Sequence, residues 1–348
     1  MNTLSNRNGY LDFWKFIAAI GVILVHVPIP GIYGRIMNAV GVCGVGFFYL
    51  ISGYACYGEG KNQMCRKIVR RFIKNGLITF IVIILYFVFS LVEQKITKGY
   101  YGWIRNFRNP FLYIRMLLLG DFEVIYGAAL WFMIALLYCY LIFLPIVRFN
   151  LRKTVYILTP LLLILRIIVD SYVNSFPVSW HLSANVIIGA LPMMLLGYLI
   201  ADQKEKLICI ADWEIIAGAV ISAFCMFFAV NHKIHRIDIS QPFKILTAAF
   251  IFLYGIKKPQ AHICKPLEKL GREDSLFIYL CHFPVIIVLV DIYYRLPVRQ
   301  KNLEWMLPFV VIIVSLILAR ALSLLIKGIK KVISIFRGNF LYQKSSPL

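Results

Sequence analysis

Residues 10–26 read YLDFWKFIAAIGVILVH, and from Phe16 to Val25 every residue is apolar or glycine. With its flanking aromatics the segment has the ~20 residues a helix needs to cross ~30 Å of hydrocarbon. Comparable runs recur along all 348 residues. The chain is 61% hydrophobic and 15% charged, with a mean hydropathy of +0.79, whereas a soluble domain is about 45–50% apolar and roughly 25% charged. Period-2 alternation is absent, which excludes a water-filled barrel. The fold class is therefore all-α, a polytopic integral membrane protein.

About ten transmembrane helices are expected, near 10–28, 38–57, 72–92, 129–148, 153–170, 185–201, 213–231, 242–256, 274–294 and 304–326. With the N-terminus inside, the inner segments and adjoining span edges carry 22 Lys and Arg, against 11 outside. That bias places both termini in the cytoplasm of a multi-pass protein of the cell (inner) membrane. The net charge of +21 thus faces anionic inner-leaflet lipid rather than nucleic acid.

The eight cysteines lack Cys-x-x-Cys or metal-like spacing, and none falls in an outer loop, so neither a disulfide framework nor a metal site is expected. The first segment has no Ala-x-Ala-like cleavage site and is retained. One domain spans 1–348, with a membrane core over about 10–326 and a basic tail over 327–348. In that tail Ile329, Val332, Ile333 and Phe336 share one helical face, and Lys327, Lys330, Lys331 and Arg337 the other, as in an interfacial amphipathic helix. The longest loop, about 93–128, contains an apolar run too short to span, and Tyr100, Tyr101 and Trp103 suit the headgroup level.

Three ionisable residues interrupt the first span. Lys15 and His26 are eleven positions apart, about 16 Å and close to three turns, so both project from one side. Asp12 lies one turn before Lys15 and can pair with it. Singly, Lys15 reads as a snorkelling lysine and His26 as an interfacial histidine bonded to a carbonyl. Together on one stripe they read as the lining of a polar cavity, because a charge within the bilayer costs about 2.5–3.5 kcal/mol on insertion scales.

Elsewhere, Ser52 and Gly53 close the second span, and "KNQMCRKIVRRFIK" (61–74) is the densest basic cluster, where Arg70 and Arg71 can fork onto phosphates. Trp131 opens the fourth span as an aromatic-belt residue. Arg166 and Lys244 fall in the outer halves of their spans. Tyr279 and His282 precede Pro284, which frees a backbone carbonyl.

The stretches LDFWKFIAAIGVILVH, GFFYLISGY, the basic loop, LWF and SLFIYLCHFP occur in order, and in this the chain resembles the acyltransferase 3 family over about 10–325. A basic residue, ten positions and a histidine mark that family's first span, and Lys15 and His26 fit. A family-like Arg-x-x-Arg is here only Lys67-x-x-Arg70 or Arg71-x-x-Lys74. The resemblance implies a ten-span enzyme that transfers acyl groups, often acetyl from coenzyme A, to hydroxyls of surface polysaccharides.

On this expectation His26 is a general base, with Asp12 orienting Lys15. The donor-binding candidates are Lys15, Ser52, Arg70, Arg71 and Lys74; the acceptor candidates are Trp131, Arg166 and His282. No permanent cofactor or metal is called for; acyl-CoA is a substrate, and direct transfer and an acyl-histidine intermediate both stay open. A transporter or flippase for an anionic or lipid-linked sugar is the main alternative, though it lacks the expected repeats. A sugar polymerase is a weaker one, the outer loops being modest. A homo-oligomer stays open.

Overall fold

The computed structural model describes residues 8–97, 99–232, 237–295 and 301–343, with 301–302 and 329–343 described by backbone alone. The apolar runs become long helices. The first, α1 (Gly9–His26), is capped by Asn8, whose side chain accepts from the Leu11 N–H at 3.0 Å and donates to the Gly255 carbonyl at 2.6 Å. After the Pro28–Pro30 segment, Gly31 takes φ 78° and the chain reverses into α2 (Ile32–Tyr54). The α1–α2 hairpin is tight because small residues face each other. A Cβ on Gly21 would lie 2.8 Å from the Gly41 Cα, and Gly44 abuts Ala18.

The 36-residue α3 (Lys61–Ile96) follows, then α4 (Tyr100–Asn106), α5 (Pro110–Leu119), α6 (Leu130–Arg148) and α7 (Arg152–Ser175). A π-turn over Val186–Ala190 leads into α8 (Leu191–Asp202), followed by α9 (Lys204–Leu207), α10 (Asp212–Asn231) and α11 (Gln241–Lys257). The last elements are α12 (Lys265–Glu273), α13 (Ser275–Arg295) and α14 (Lys301–Gln343). Leu77, Phe80 and Val88 on α3, Phe224 on α10 and Ile313 and Ile317 on α14 are exposed. Such an outer surface belongs in lipid.

Among the described residues, eight helices are long and apolar enough to cross a membrane. The sixth and eighth expected spans appear as shorter pieces, Val186–Asp202 and the 17-residue Gln241–Lys257. Each is cut short at the same end of the bundle. The π-turn begins where the Asn185 side chain accepts from the Ile187 and Ile188 N–H groups. The second helix starts after a turn in which Asp238 accepts from the Ser240 N–H and Oγ. These shortened helices, with the early stop of α1, leave a void inside the bundle.

Proline behaves on α13 as its chemistry dictates. Pro284 has no N–H for the Leu280 carbonyl, and the Tyr86 hydroxyl donates to it instead at 2.8 Å, pinning α3 to α13 for about 1 kcal/mol. Trp103 is a correction to the headgroup reading: it is 5% exposed, with Nε1 donating to the Val124 carbonyl at 2.6 Å. Its ring fills the seam among α3, α4 and the following turn, whereas Tyr101 is 84% exposed. All eight cysteines are free. The backbone runs helically into the basic tail, up to Gln343; the side chains from Ile329 onward, on which its amphipathic reading depends, lie outside the described residues.

Candidate active site

The last turn of α1 carries Val22, Val25 and His26 into a cavity of about 1190 Å³. The Pro28–Gly31 segment, the start of α2, Trp131 of α6, Arg166 and Asp170 of α7, Lys244 of α11 and Tyr279 and Phe283 of α13 complete its wall. His26 is exposed to this space. Its depth differs from the sequence expectation of a residue near the outer face. His26 is level with His282, their rings stacked with centroids 5.4 Å apart and planes inclined by 26°. From His282, α13 continues thirteen residues to Arg295, about 20 Å of further helix. The imidazole sits at the bottom of a well.

The buried charge on the wall is paired, while exposed Arg35 bonds Asn231 at 3.1 Å. Arg166 Nε lies 3.3 Å from an Asp170 oxygen one turn on, while Nη1 donates to the Gly189 carbonyl at the π-turn at 2.5 Å. Lys244 Nζ lies 3.7 Å from Asp238. All four side chains are about nine-tenths buried, so each cation has its compensating carboxylate where an uncompensated one would be costly. Trp131 meets Trp180 edge-on at 6.5 Å, and Trp180 Nε1 donates to Glu123 at 3.2 Å. At the rim, Asp121, Glu123 and His181 bring three ligand-type atoms within 4.8 Å of one another. Asp121 already pairs with Arg115 and lies 3.3 Å from His181 Nε2, so these groups are occupied with each other.

A layer of rings floors the well. Phe132 sits 5.0 Å from Tyr279 and 4.6 Å from Tyr49, and Phe48 reaches both Phe132 and Tyr279 at 6.1 and 6.5 Å. The Tyr49 and Tyr279 hydroxyls are tied to the carbonyls of Phe132 and Ala129. Lys15 does not line the cavity. It lies beyond this layer, its Nζ 2.5 Å from Asp12, whose carboxylate is 4% exposed. The expectation of one polar cavity shared by Lys15 and His26 is therefore corrected. The stripe is real, but Ala18, which lies between them, belongs to the buried core and does not line the well.

Helical phase sorts the basic loop at the Lys15 end. Lys67, Arg71 and Asn75 recur every four residues on one face of α3. Lys67 Nζ donates to the Tyr57 carbonyl at 2.8 Å, Asn75 reaches the Tyr140 hydroxyl at 3.3 Å, and Arg71 interacts with the same hydroxyl. Arg70 and Lys74 lie on an exposed face. Ser52 spends its hydroxyl on the Phe48 carbonyl at 2.8 Å and also approaches Tyr140. The structure thus pairs Arg71 with Lys67, one turn earlier, rather than with Arg70.

Of the residues singled out in the sequence, His26, Trp131 and Arg166 share the well, and His282 packs against His26. Lys15, Asp12, Ser52, Arg70, Arg71 and Lys74 lie at the opposite end. Sequence reasoning missed Asp170 and Asp238, and it named Lys67 only within the Lys67-x-x-Arg70 alternative. The Arg166–Asp170 spacing of one helical turn was the available signal. A family model described as an acyltransferase domain, acyltransferase 3, matches residues 8–326. The chain has no significant match among curated proteins or among solved structures. Covering nearly the whole of a chain built from membrane-length apolar helices, the match shows that this protein belongs to the acyltransferase 3 family of membrane acyltransferases.

Proposed function

We propose that the protein is an O-acyltransferase of the cytoplasmic membrane that moves an acyl group, by default acetyl, from acyl-CoA to a hydroxyl of a cell-surface polysaccharide or lipid-linked sugar. The carrying observation is His26 at the bottom of a large well, divided by a layer of rings from a basic end that holds Lys15, Lys67 and Arg71. Ten crossings with both termini inside put the basic end in the cytoplasm, where acyl-CoA is made, and open the well outward.

Each end suits one substrate. The donor's phosphates belong with Lys15, Arg71 and Lys67, guanidinium forks matching phosphate oxygens. Asp12 fixes Lys15. The pantetheine arm passes the ring layer, and the thioester reaches His26. A neutral imidazole there takes the proton of the acceptor hydroxyl, contributing about 10²–10⁴-fold. The oxygen bonds to the acyl carbon, the C–S bond breaks, and His26 passes its proton to the departing thiolate. Trp131 and Trp180 offer faces to a sugar ring, and the paired charges of Arg166 and Asp170 offer both donors and acceptors to its hydroxyls. The transporter reading gains little from the well: its buried cations, Arg166 and Lys244, are already paired with carboxylates, which leaves Arg35 at the mouth, bonded to Asn231, as the cation among the described lining residues without one.

The test uses membranes with wild-type protein or His26→Ala at equal protein level, labelled acetyl-CoA and an envelope glycan extract. Alkali-labile label entering glycan with the wild type alone supports the reading. Equal transfer by both overturns the role of His26. No transfer, with glycan export still dependent on the protein, returns the transporter.

A further inference from the structure

A histidine that takes a proton through one ring nitrogen carries a proton on the other, and that N–H needs an acceptor to fix the tautomer and steady the cation. Asp12 cannot serve, lying fourteen residues earlier on α1, about 21 Å along the axis. Among the described residues the His26 ring makes no hydrogen bond. What faces it is rings: Phe283 edge-on at 4.7 Å and His282 stacked at 5.4 Å.

His282 is fully buried. Its Nδ1 lies 2.5 Å from the Tyr279 carbonyl oxygen. A carbonyl only accepts, so Nδ1 carries the proton and Nε2 is left with its lone pair. That Nε2 is buried without a partner. An unsatisfied buried acceptor costs about 1–3 kcal/mol, and such an atom in a native structure calls for an explanation. Here it belongs to the ring stacked on the base.

We infer that His282 is a positioning residue for His26. Its Nε2 accepts the His26 N–H once the imidazole tilts from the stacked arrangement as substrates fill the well. The bond fixes the tautomer that leaves the other His26 nitrogen free for the hydroxyl proton, and it stabilises the imidazolium formed during transfer. Proton accounting is closed: the hydroxyl proton goes to His26 and then to sulfur, while His282 keeps its own Nδ1 proton throughout. The inference rests on the reading of His26 as base, and it makes Pro284 and the Tyr86–Leu280 bond part of the frame that holds the second ring.

The experiment measures kcat and KM for acetyl transfer in membranes carrying the full chain. The variants are His26→Ala, His282→Ala, His282→Gln, His282→Asn and the double alanine variant. Gln can put an acceptor oxygen where Nε2 sits, whereas Asn ends at the Nδ1 position. The expected result is a kcat about 100-fold lower for His282→Ala with acceptor KM within about twofold, at the low end for general base catalysis. His282→Gln should exceed His282→Asn about tenfold in kcat, and adding His282→Ala to His26→Ala should cost less than about twofold, because residues acting as a unit are not additive. The inference is overturned by a His282→Ala kcat close to wild type, by a loss confined to KM, by equal Gln and Asn rates, or by additive losses. If the alanine variant is missing from membranes, Gln against Asn decides. Failure of the underlying reading shows earlier, as a wild type that makes no ester or a His26→Ala that matches it.

Discussion

The two ends of the bundle handle charge to different degrees. At the His26 end Arg166 and Lys244 are buried and held by carboxylates of their own, so the well is polar but balanced. At the Lys15 end, Lys15 is held by Asp12, but Lys67 is satisfied by a backbone carbonyl, Arg71 interacts with a tyrosine and Arg70 is exposed, so cationic charge stays in excess. Balanced charge suits a hydroxylated acceptor, and open cationic charge suits phosphates. Between them the rings of Phe48, Phe132 and Tyr279 form an apolar partition.

The strongest way to break this comparison is to remove the base. His26→Ala should lower kcat about 10²–10⁴-fold while leaving the KM for acyl-CoA near wild type, measured by ester formation in membranes. Next comes the buried pair: Asp170→Asn strands Arg166 and should destabilise the fold by about 3–5 kcal/mol, read as detergent-resistant folded fraction against temperature. Arg166→Leu with Asp170→Leu should recover most of that stability but not acceptor binding. At the other end, Lys15→Met should raise the KM for acyl-CoA about tenfold, one lost charge-assisted contact to phosphate being worth about 1.5–3 kcal/mol, and should spare kcat. If Lys15→Met and His26→Ala instead affect the same constant, the two ends are not functionally separate.

Two smaller effects sharpen the partition and its frame. Phe48→Ala thins the ring layer, and wild type and variant should then differ severalfold in acyl-CoA hydrolysis without acceptor, the cavity letting water reach the thioester. Unchanged hydrolysis would mean that Phe48 does not seal the well. Glu273, outside the spans, is held down at about 2 from its usual 4.5 by Lys327 and then Arg320. Because the folded-state value is depressed, the stabilisation is complete above about pH 4.5 and is lost as pH falls toward 2. With Lys327 half exposed it should be worth under about 1 kcal/mol. Acid unfolding of Glu273→Gln and the wild type should differ at pH 6 and converge near pH 2.

Much of this was legible in sequence because membrane burial is written in composition. The long apolar runs, the Lys15–His26 stripe, the Asp12–Lys15 pair and the carbonyl freed by Pro284 all follow from local spacing, and each is present. What spacing misses is where helices stop relative to one another. Ala18 looks identical whether it lines a channel or fills a core. Only the packing of Phe48, Phe132 and Tyr279 across the bundle decides that the stripe is interrupted.

By itself the sequence determined a multi-helix membrane protein of the acyltransferase 3 family, with a cation and an imidazole on one side of its first helix. Hydropathy and helical period are local properties, so neighbours along the chain are enough to set them. Tertiary structure decided that these two residues lie at opposite ends of the bundle with a layer of rings between them, that Asp170 and Asp238 neutralise Arg166 and Lys244, and that His282 stacks on His26. Those facts depend on where separate helices end relative to one another, and that is fixed by side-chain packing between segments remote in sequence.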